Sequence, residues 1–96
     1  MNRLLILPVL LLTLLVGTPA FSADWDKGRT AYRSGDYATA LREWTPLAKQ
    51  GNAAPQYNLG LMYRNGQGVP QNDKTALKYY TLAAAQGNFN AQFNLG

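Results

Sequence analysis

The chain has 96 residues, so it can form at most one small domain. It contains neither cysteine nor histidine, which excludes disulfide bonds, thiolate metal sites and the commonest metal-binding side chain. Its formal net charge of +4 at pH 7 is scattered along the chain and does not form the clustered basic stripe of a nucleic-acid-binding protein. We therefore expect no cofactor, no metal ion and no nucleic-acid partner.

Residues 1–22 have the layout of a secretory signal peptide. The start is positively charged, Leu4–Val16 is predominantly apolar, and small residues follow. This apolar run of 13 residues is shorter than the ~20 residues that span a bilayer, so we expect no membrane span once the leader is removed. Small side chains at Ala20 and Ser22 favour cleavage after Ser22, with cuts after Ala20 or Ala23 as alternatives. The sequence therefore predicts a periplasmic or secreted protein.

Residues 23–35 are predicted to form an N-terminal capping helix. Asp24 and Asp26 suit the positive end of the helix dipole, and Gly35 tolerates the left-handed conformation that ends helices. Trp25 and the neighbouring aromatic and small residues are expected to pack. Gly28 is expected to be a local weakness, because glycine in a helix interior costs up to ~1 kcal/mol.

A block of 21 residues then occurs twice, at Ala40–Gly60 and Ala76–Gly96. The two copies start 36 residues apart and are identical at 11 of the 21 aligned positions. A fixed period in the range of roughly 20–50 residues indicates stacked supersecondary units rather than one globular core. The apolar residues recur at i, i+3, i+4 and i+7, which predicts amphipathic helices. We therefore predict an all-α fold in which helical hairpins stack.

The first unit is predicted to span residues 36–71. Asp36 caps its first helix, which bends near Pro46, and Glu43 lies mostly off the apolar stripe together with Arg42 and Lys49. That stripe comprises Tyr37, Ala40, Leu41, Trp44, Leu47 and Ala48. The second helix runs from about residue 53 to 65, with Gly60 allowing close approach, and residues 66–71 link to the next unit.

The second unit is predicted to span residues 72–96, with Asn72 or Asp73 as its cap. Its apolar stripe comprises Ala76, Leu77, Tyr80, Ala83 and Ala84. A partner helix starting at Asn90 would have about seven residues, which is well below the ~12–15 at which isolated helices become marginal. The apolar side of Tyr79, Tyr80, Phe89 and Phe93 is then expected to lie open. We interpret the chain as a fragment of a longer reading frame, with completion by a partner as the alternative.

These residues resemble the Sel1-like repeat, a relative of the tetratricopeptide repeats with a longer Gly-x-Gly-Val-Pro link. The likeness covers about residues 36–96 and rests on Asn58–Gln71, Ala76, Tyr79-Tyr80, Ala83-Ala84 and Gln86–Asn88. Asn72-Asp73-Lys74 departs from the usual acidic–aromatic pair after the link. The resemblance implies an αα-hairpin solenoid that acts as an adaptor for partner proteins. It also implies a bacterial envelope role in signalling or in exopolysaccharide or cell-wall assembly.

The residue inventory argues against an enzyme, because Ser-His and Cys-His nucleophile pairs need residues that the chain lacks. Gly66-x-Gly68 is interpreted as a link rather than a phosphate-binding loop. Two alternatives stay open: a repeat region or regulatory subunit of a larger envelope enzyme, and carbohydrate binding along an aromatic groove. Most aromatic residues are expected to pack in the core.

Three residues are predicted to bind a partner protein. One of the adjacent residues Tyr79 and Tyr80 must point away from the core, and we choose Tyr79 as the exposed one. Arg42 and Lys78 occupy matching positions on the first helix of each unit, and aromatic and basic side chains are typical interface anchors. Self-association is left open.

Overall fold

The computed structural model describes residues 22–95 of the chain. The predicted signal peptide lies outside these residues, except for Ser22. All regular structure in residues 22–95 is helical: α1 Trp25–Arg33, α2 Tyr37–Lys49, α3 Ala53–Asn65, α4 Asp73–Ala85 and α5 Phe89–Leu95. The prediction of an all-α chain is confirmed. None of the described helices is both long and apolar enough to cross a membrane.

Short polar side chains set the starts of these helices. Asp24 accepts a hydrogen bond from the backbone N–H of Lys27, and Asp36 and Asn72 cap α2 and α4 in the same way. An N-cap side chain satisfies one of the backbone donors that a helix start leaves free. Asp36 and Asn72 are therefore confirmed as caps. α5 begins at Phe89, one residue earlier than predicted, behind Asn88, whose side chain accepts from Ala91 N–H.

Each helix packs against its neighbours in the chain, so that the hairpins α2–α3 and α4–α5 stack in series. Two small cores lie between them. The first contains Ala31, Ala40, Trp44, Ala48, Leu59 and Met62, and the second contains Ala76, Tyr80, Ala83 and Ala91. In each core one large aromatic residue is surrounded mainly by small ones. This composition allows the helices to approach closely.

Two glycines make room for these aromatic residues. A Cβ atom at Gly28 in α1 would lie 2.4 Å from Trp44 Nε1, and one at Gly60 in α3 would lie 2.6 Å from Tyr80 Cδ1. Both distances are far below van der Waals contact. The prediction for Gly60 is confirmed. The absence of a side chain at Gly28 allows α1 to pack closely on Trp44, so this glycine is not simply a weak point of the helix.

The link between the units also packs against the first unit. Gly66 and Gly68 have positive φ angles of 67° and 74°. A Cβ atom at Gly68 would lie 2.7 Å from Tyr37 Cβ and 3.2 Å from Leu41 Cδ1. The Tyr32 hydroxyl donates to Gln67 Oε1 over 2.9 Å. The link is therefore part of the packed structure, held by contacts with α1 and α2.

One prediction about the apolar stripe of the second unit is wrong. Leu77 was placed in this stripe but is 56% exposed, because no link segment covers it within residues 22–95 as Gly68 covers the equivalent Leu41. Tyr80 is buried, as its place in the stripe predicts, and its apolar side does not lie open because Gly60 and Tyr57 of α3 receive its ring. Pro46 does lie inside α2, as predicted.

Candidate protein interaction surface

The most exposed large apolar side chains lie on α5. Phe89 is 83% exposed and Phe93 is 85% exposed, while Ala91 on the opposite side of the helix is buried against α4. We call Phe89 and Phe93 the α5 face. Their exposure agrees with the prediction. Two exposed phenylalanines one helical turn apart form a candidate binding surface.

The internal repeat indicates what the α5 face is shaped to contact. Phe89 and Phe93 lie 36 residues after Ala53 and Tyr57 of α3. Ala53 and Tyr57 pack against the second core, and the Tyr57 ring lies 5.8 Å from the Tyr80 ring of α4. The positions that carry the α5 face are therefore the ones that α3 uses to hold the next hairpin.

Polar groups around the α5 face follow the same rule. Gln92 Nε2 donates to the Ala84 carbonyl over 3.1 Å, just as the equivalent Gln56 donates to Ala48 over 3.0 Å. Gln56 Oε1 also accepts from Gln86 of the next unit. Gln92 is exposed, and in the described part of the chain only its Nε2 makes a side-chain hydrogen bond. Its oxygen is thus available to a donor on a partner.

Tyr79 is half-buried rather than fully exposed. Its ring stacks on Tyr63 of α3, with the centroids 5.9 Å apart and the planes at 20°. Burial raises the pKa of the Tyr79 hydroxyl, and the neighbouring Tyr63 acts in the same direction. The ammonium group of Lys78 lies 5.8 Å from the centre of the Tyr79 ring. The structure thus brings Tyr79 and Lys78 together, and their role in binding stays a prediction.

Arg42 lies on α2 and is exposed, as predicted. Its guanidinium group is 3.3 Å from Glu43 Oε2, so it belongs to an ion pair within the first unit. The corresponding residue Lys78 has an aromatic neighbour instead, because the position of Glu43 is occupied by Tyr79 in the second unit. Replacing Arg42 would therefore change this ion pair as well as any contact with a partner.

Sequence reasoning placed Glu43 wrongly, as it did Leu77. Glu43 was expected off the apolar stripe, yet only 1% of it is exposed. Its carboxylate accepts the backbone N–H of Asp24 over 3.0 Å and lies 3.7 Å from Lys27 Nζ. The repeat register aligns Glu43 with Tyr79, which was itself predicted to be exposed, so the register did not indicate this burial. The charge of Glu43 also pointed to solvent.

The aromatic residues of the capping helix are packing residues, as predicted. Trp25 stacks on Trp44 at 5.3 Å between centroids, and Tyr32 lies 5.6 Å from the same indole. A shallow cleft of about 390 Å³ opens beside Trp25, Leu47 and Pro55, with no charged side chain in its lining. Within residues 22–95 no group of three acidic side chains comes together in a way that could hold a metal ion.

Comparison with known proteins gives one match. Residues 56–88, from α3 through the link and α4 to Asn88, match the family model of the Sel1 repeat. No curated protein and no solved structure matches the chain. Sel1 repeats generally mediate protein–protein interaction, and their fold is generally not catalytic. The match and the stacked hairpins together support the Sel1-like repeat family for this chain.

Proposed function

We propose that this protein is an exported adaptor of the bacterial envelope and that, in the chain of 96 residues, a helical hairpin of the partner protein binds to the α5 face. The exposure of Phe89 and Phe93 carries this proposal, because both occupy positions that hold a neighbouring hairpin in the first unit. Burying a large apolar side chain stabilises a complex by about 1.5–3 kcal/mol. Aromatic residues are also enriched among the residues that dominate binding energy.

The internal α3–α4 contact defines the partner's chemistry. Where α4 contacts the positions equivalent to the α5 face, it presents the small residues Ala76 and Ala83 and the aromatic side chain of Tyr80. We therefore expect the α5 face to bind a helix with small residues flanking an aromatic one. A hydrogen-bond donor on that helix would reach Gln92, as Gln86 reaches Gln56 within the chain.

The proposed cellular location rests on residues 1–22. Their charged start, apolar run of 13 residues and small residues before position 23 support export and cleavage. Fractionation of cells that express the full chain tests this part. We expect a periplasmic product whose N-terminus is Ala23, determined by mass spectrometry. A full-length product confined to the cytoplasm would rule out export while leaving the binding surface untouched.

Site-directed crosslinking in cells tests the α5 face. A photoreactive p-benzoyl-phenylalanine in place of Phe93 should give a discrete crosslinked product, which the additional change Phe89→Ser should reduce. The matched control places the same group at Lys49, which is exposed on α2. No crosslink from position 93, or equal crosslinking from both positions, would contradict the proposal. A product of twice the chain mass would identify a second copy as the partner.

The predicted role of Lys78 is tested in the same assay. Lys78→Gln should weaken capture of the crosslinked partner without changing the free energy of unfolding, since its ammonium group is exposed above Tyr79. Lys74→Gln is the control, because Lys74 is also exposed on α4. Tyr79 and Arg42 are tested by Tyr79→Phe and Arg42→Gln, which keep most of the packing. Unchanged capture would remove these residues from the binding surface.

A further inference from the structure

Glu43 is a buried carboxylate that has a neutral amide donor at one oxygen and two cations at the other. Oε1 accepts the Asp24 N–H over 3.0 Å, and Oε2 lies 3.3 Å from Arg42 and 3.7 Å from Lys27. The side chains of these two cations are more than half exposed, whereas that of Glu43 is 1% exposed. Burying a charge is costly unless opposite charges and hydrogen bonds compensate it. Both cations lie at Oε2, so a cation close to Oε1 would add to this compensation.

The backbone beside Oε1 belongs to the segment where the leader is expected to be cut. The nitrogen of Ala23 is three bonds from the nitrogen of Asp24, which places the two atoms at most about 3.7 Å apart. Because Asp24 N lies 3.0 Å from Oε1, the Ala23 nitrogen cannot be further than about 7 Å from the carboxylate. A cut one residue later would place the new terminus at Asp24 itself.

We propose that Glu43 is a binding site for the α-ammonium group of the processed N-terminus. This inference rests on the proposed export and removal of residues 1–22. Hydrolysis breaks the bond between the Ser22 carbonyl carbon and the Ala23 nitrogen, with water giving its hydroxyl to the leader and a proton to Ala23. The new carboxyl group of the leader then releases a proton, and the new amine takes one up to become an ammonium group. The neutral amide of the precursor thereby becomes a positive charge next to a buried negative one. The ligand is a primary ammonium group of the chain itself.

Because of the position of this site, removal of the leader would strengthen the packing of α1 against α2. Glu43 precedes Trp44, whose indole stacks on Trp25 and donates to the Trp25 carbonyl over 3.2 Å. An ammonium group held at Glu43 would therefore fix the chain just before this contact. The second unit has Tyr79 at the position of Glu43, so the carboxylate is specific to the end of the stack where the new N-terminus forms.

A double-mutant cycle on the processed chain, residues 23–96, tests the site. Four proteins are compared by urea unfolding at pH 6: wild type and Glu43→Gln, each with a free or an acetylated N-terminus. Acetylation should raise the unfolding equilibrium constant of the wild type, and the change should be at least about threefold smaller in Glu43→Gln. Asp26→Asn is the control, because Asp26 is an exposed carboxylate in the first turn of α1, close to the N-terminus. In Asp26→Asn the effect of acetylation should be as large as in the wild type.

Equal effects of acetylation in wild type and Glu43→Gln would overturn the proposal. If Glu43→Gln does not fold, chains with zero, one, two or four added glycines before Ala23 replace it, since they keep Glu43 intact. The stability advantage of a free over an acetylated terminus should decline along this series, and a flat series would overturn the proposal. Both experiments use a defined N-terminus, so their result is independent of whether cells export the chain.

Discussion

The side-chain amide of Gln86 donates a hydrogen bond to the side-chain oxygen of Gln56 over 2.8 Å. Gln56 is buried and passes the connection on, because its own amide donates to the Ala48 carbonyl over 3.0 Å. These two hydrogen bonds, which we call the polar chain, therefore connect the C-cap residue of α4 in the second unit with α2 in the first. This explains the glutamine at position 56, which is buried next to apolar and small residues, whereas Gln92 makes the equivalent bond to Ala84 but is exposed.

Replacing Gln56 should be far more costly than replacing the equivalent Gln92. Gln56→Leu leaves the Ala48 carbonyl without its side-chain donor and removes the acceptor of Gln86, so we expect a loss of about 1–3 kcal/mol in the free energy of unfolding. Gln92→Leu is the matched control on the exposed end of the stack and should stay within about 0.5 kcal/mol. Urea unfolding measures both, and equal losses would contradict the role of the polar chain.

Gly28→Ala should destabilise the protein, although alanine normally favours a helix over glycine by about 1 kcal/mol. The added Cβ would lie 2.4 Å from Trp44 Nε1, so α1 or the indole must shift, and such overpacking costs about 1–3 kcal/mol. In a Trp44→Phe background the pyrrole edge is absent, and Gly28→Ala should cost much less. A stabilising effect of Gly28→Ala in the wild type would mean that α1 is not seated on Trp44.

The sequence predicted the elements well, because periodicity and caps are local. The spacing of Ala40, Trp44 and Ala48 indicates the inward face of α2, and Asp36 and Asn72 mark helix starts by a bond to the third residue after them. Helical spacing and N-cap residues can both be recognised without knowing which other helices pack nearby. The exposure of Phe89 and Phe93 was predicted because the second unit breaks off within its partner helix, so that these residues have no following hairpin to pack against.

The errors concern residues whose environment depends on another unit. Leu41 and Leu77 are the same residue type at equivalent positions of the two units, yet Gly68 covers only Leu41. Glu43 was expected in solvent because it is charged, whereas its burial depends on the Asp24 amide and on the cations Lys27 and Arg42. The spacing of apolar residues along a helix cannot predict such contacts, because they come from other segments of the chain.

Asp36 should stabilise the protein in a pH-dependent way. The side chain and backbone of Thr39 donate to its carboxylate and lower the pKa of Asp36 below its usual value of 3.8, with Arg42 acting in the same direction against a small opposing effect of desolvation. A lowered pKa in the folded state contributes stability that is complete above the unfolded-state pKa and is lost as the pH falls through the folded-state pKa. The wild type should therefore exceed Asp36→Asn in stability by more at pH 7 than at pH 2.5.

Thermal unfolding across this pH range checks the prediction for Asp36. Asparagine is a suitable replacement because it keeps the cap bond, as Asn72 shows at the start of α4. Asn72→Asp is the reciprocal control, and it should gain stability relative to the wild type as the pH rises above the carboxyl pKa. A difference between wild type and Asp36→Asn that does not change with pH would assign the cap to hydrogen-bond geometry alone.

Tyr80→Phe and Tyr32→Phe should have opposite effects on stability. The hydroxyl of Tyr80 is buried without a hydrogen-bond partner among residues 22–95, and burial raises its pKa while the nearby Arg64 acts against this. Removing an unsatisfied buried hydroxyl recovers its desolvation cost, so Tyr80→Phe should be neutral or stabilise by up to about 1 kcal/mol. Tyr32→Phe removes the 2.9 Å bond to Gln67 and should destabilise by about 0.5–1.5 kcal/mol. Urea unfolding separates the two, and a clear loss of stability in Tyr80→Phe would show that Arg64 or water satisfies the hydroxyl in solution.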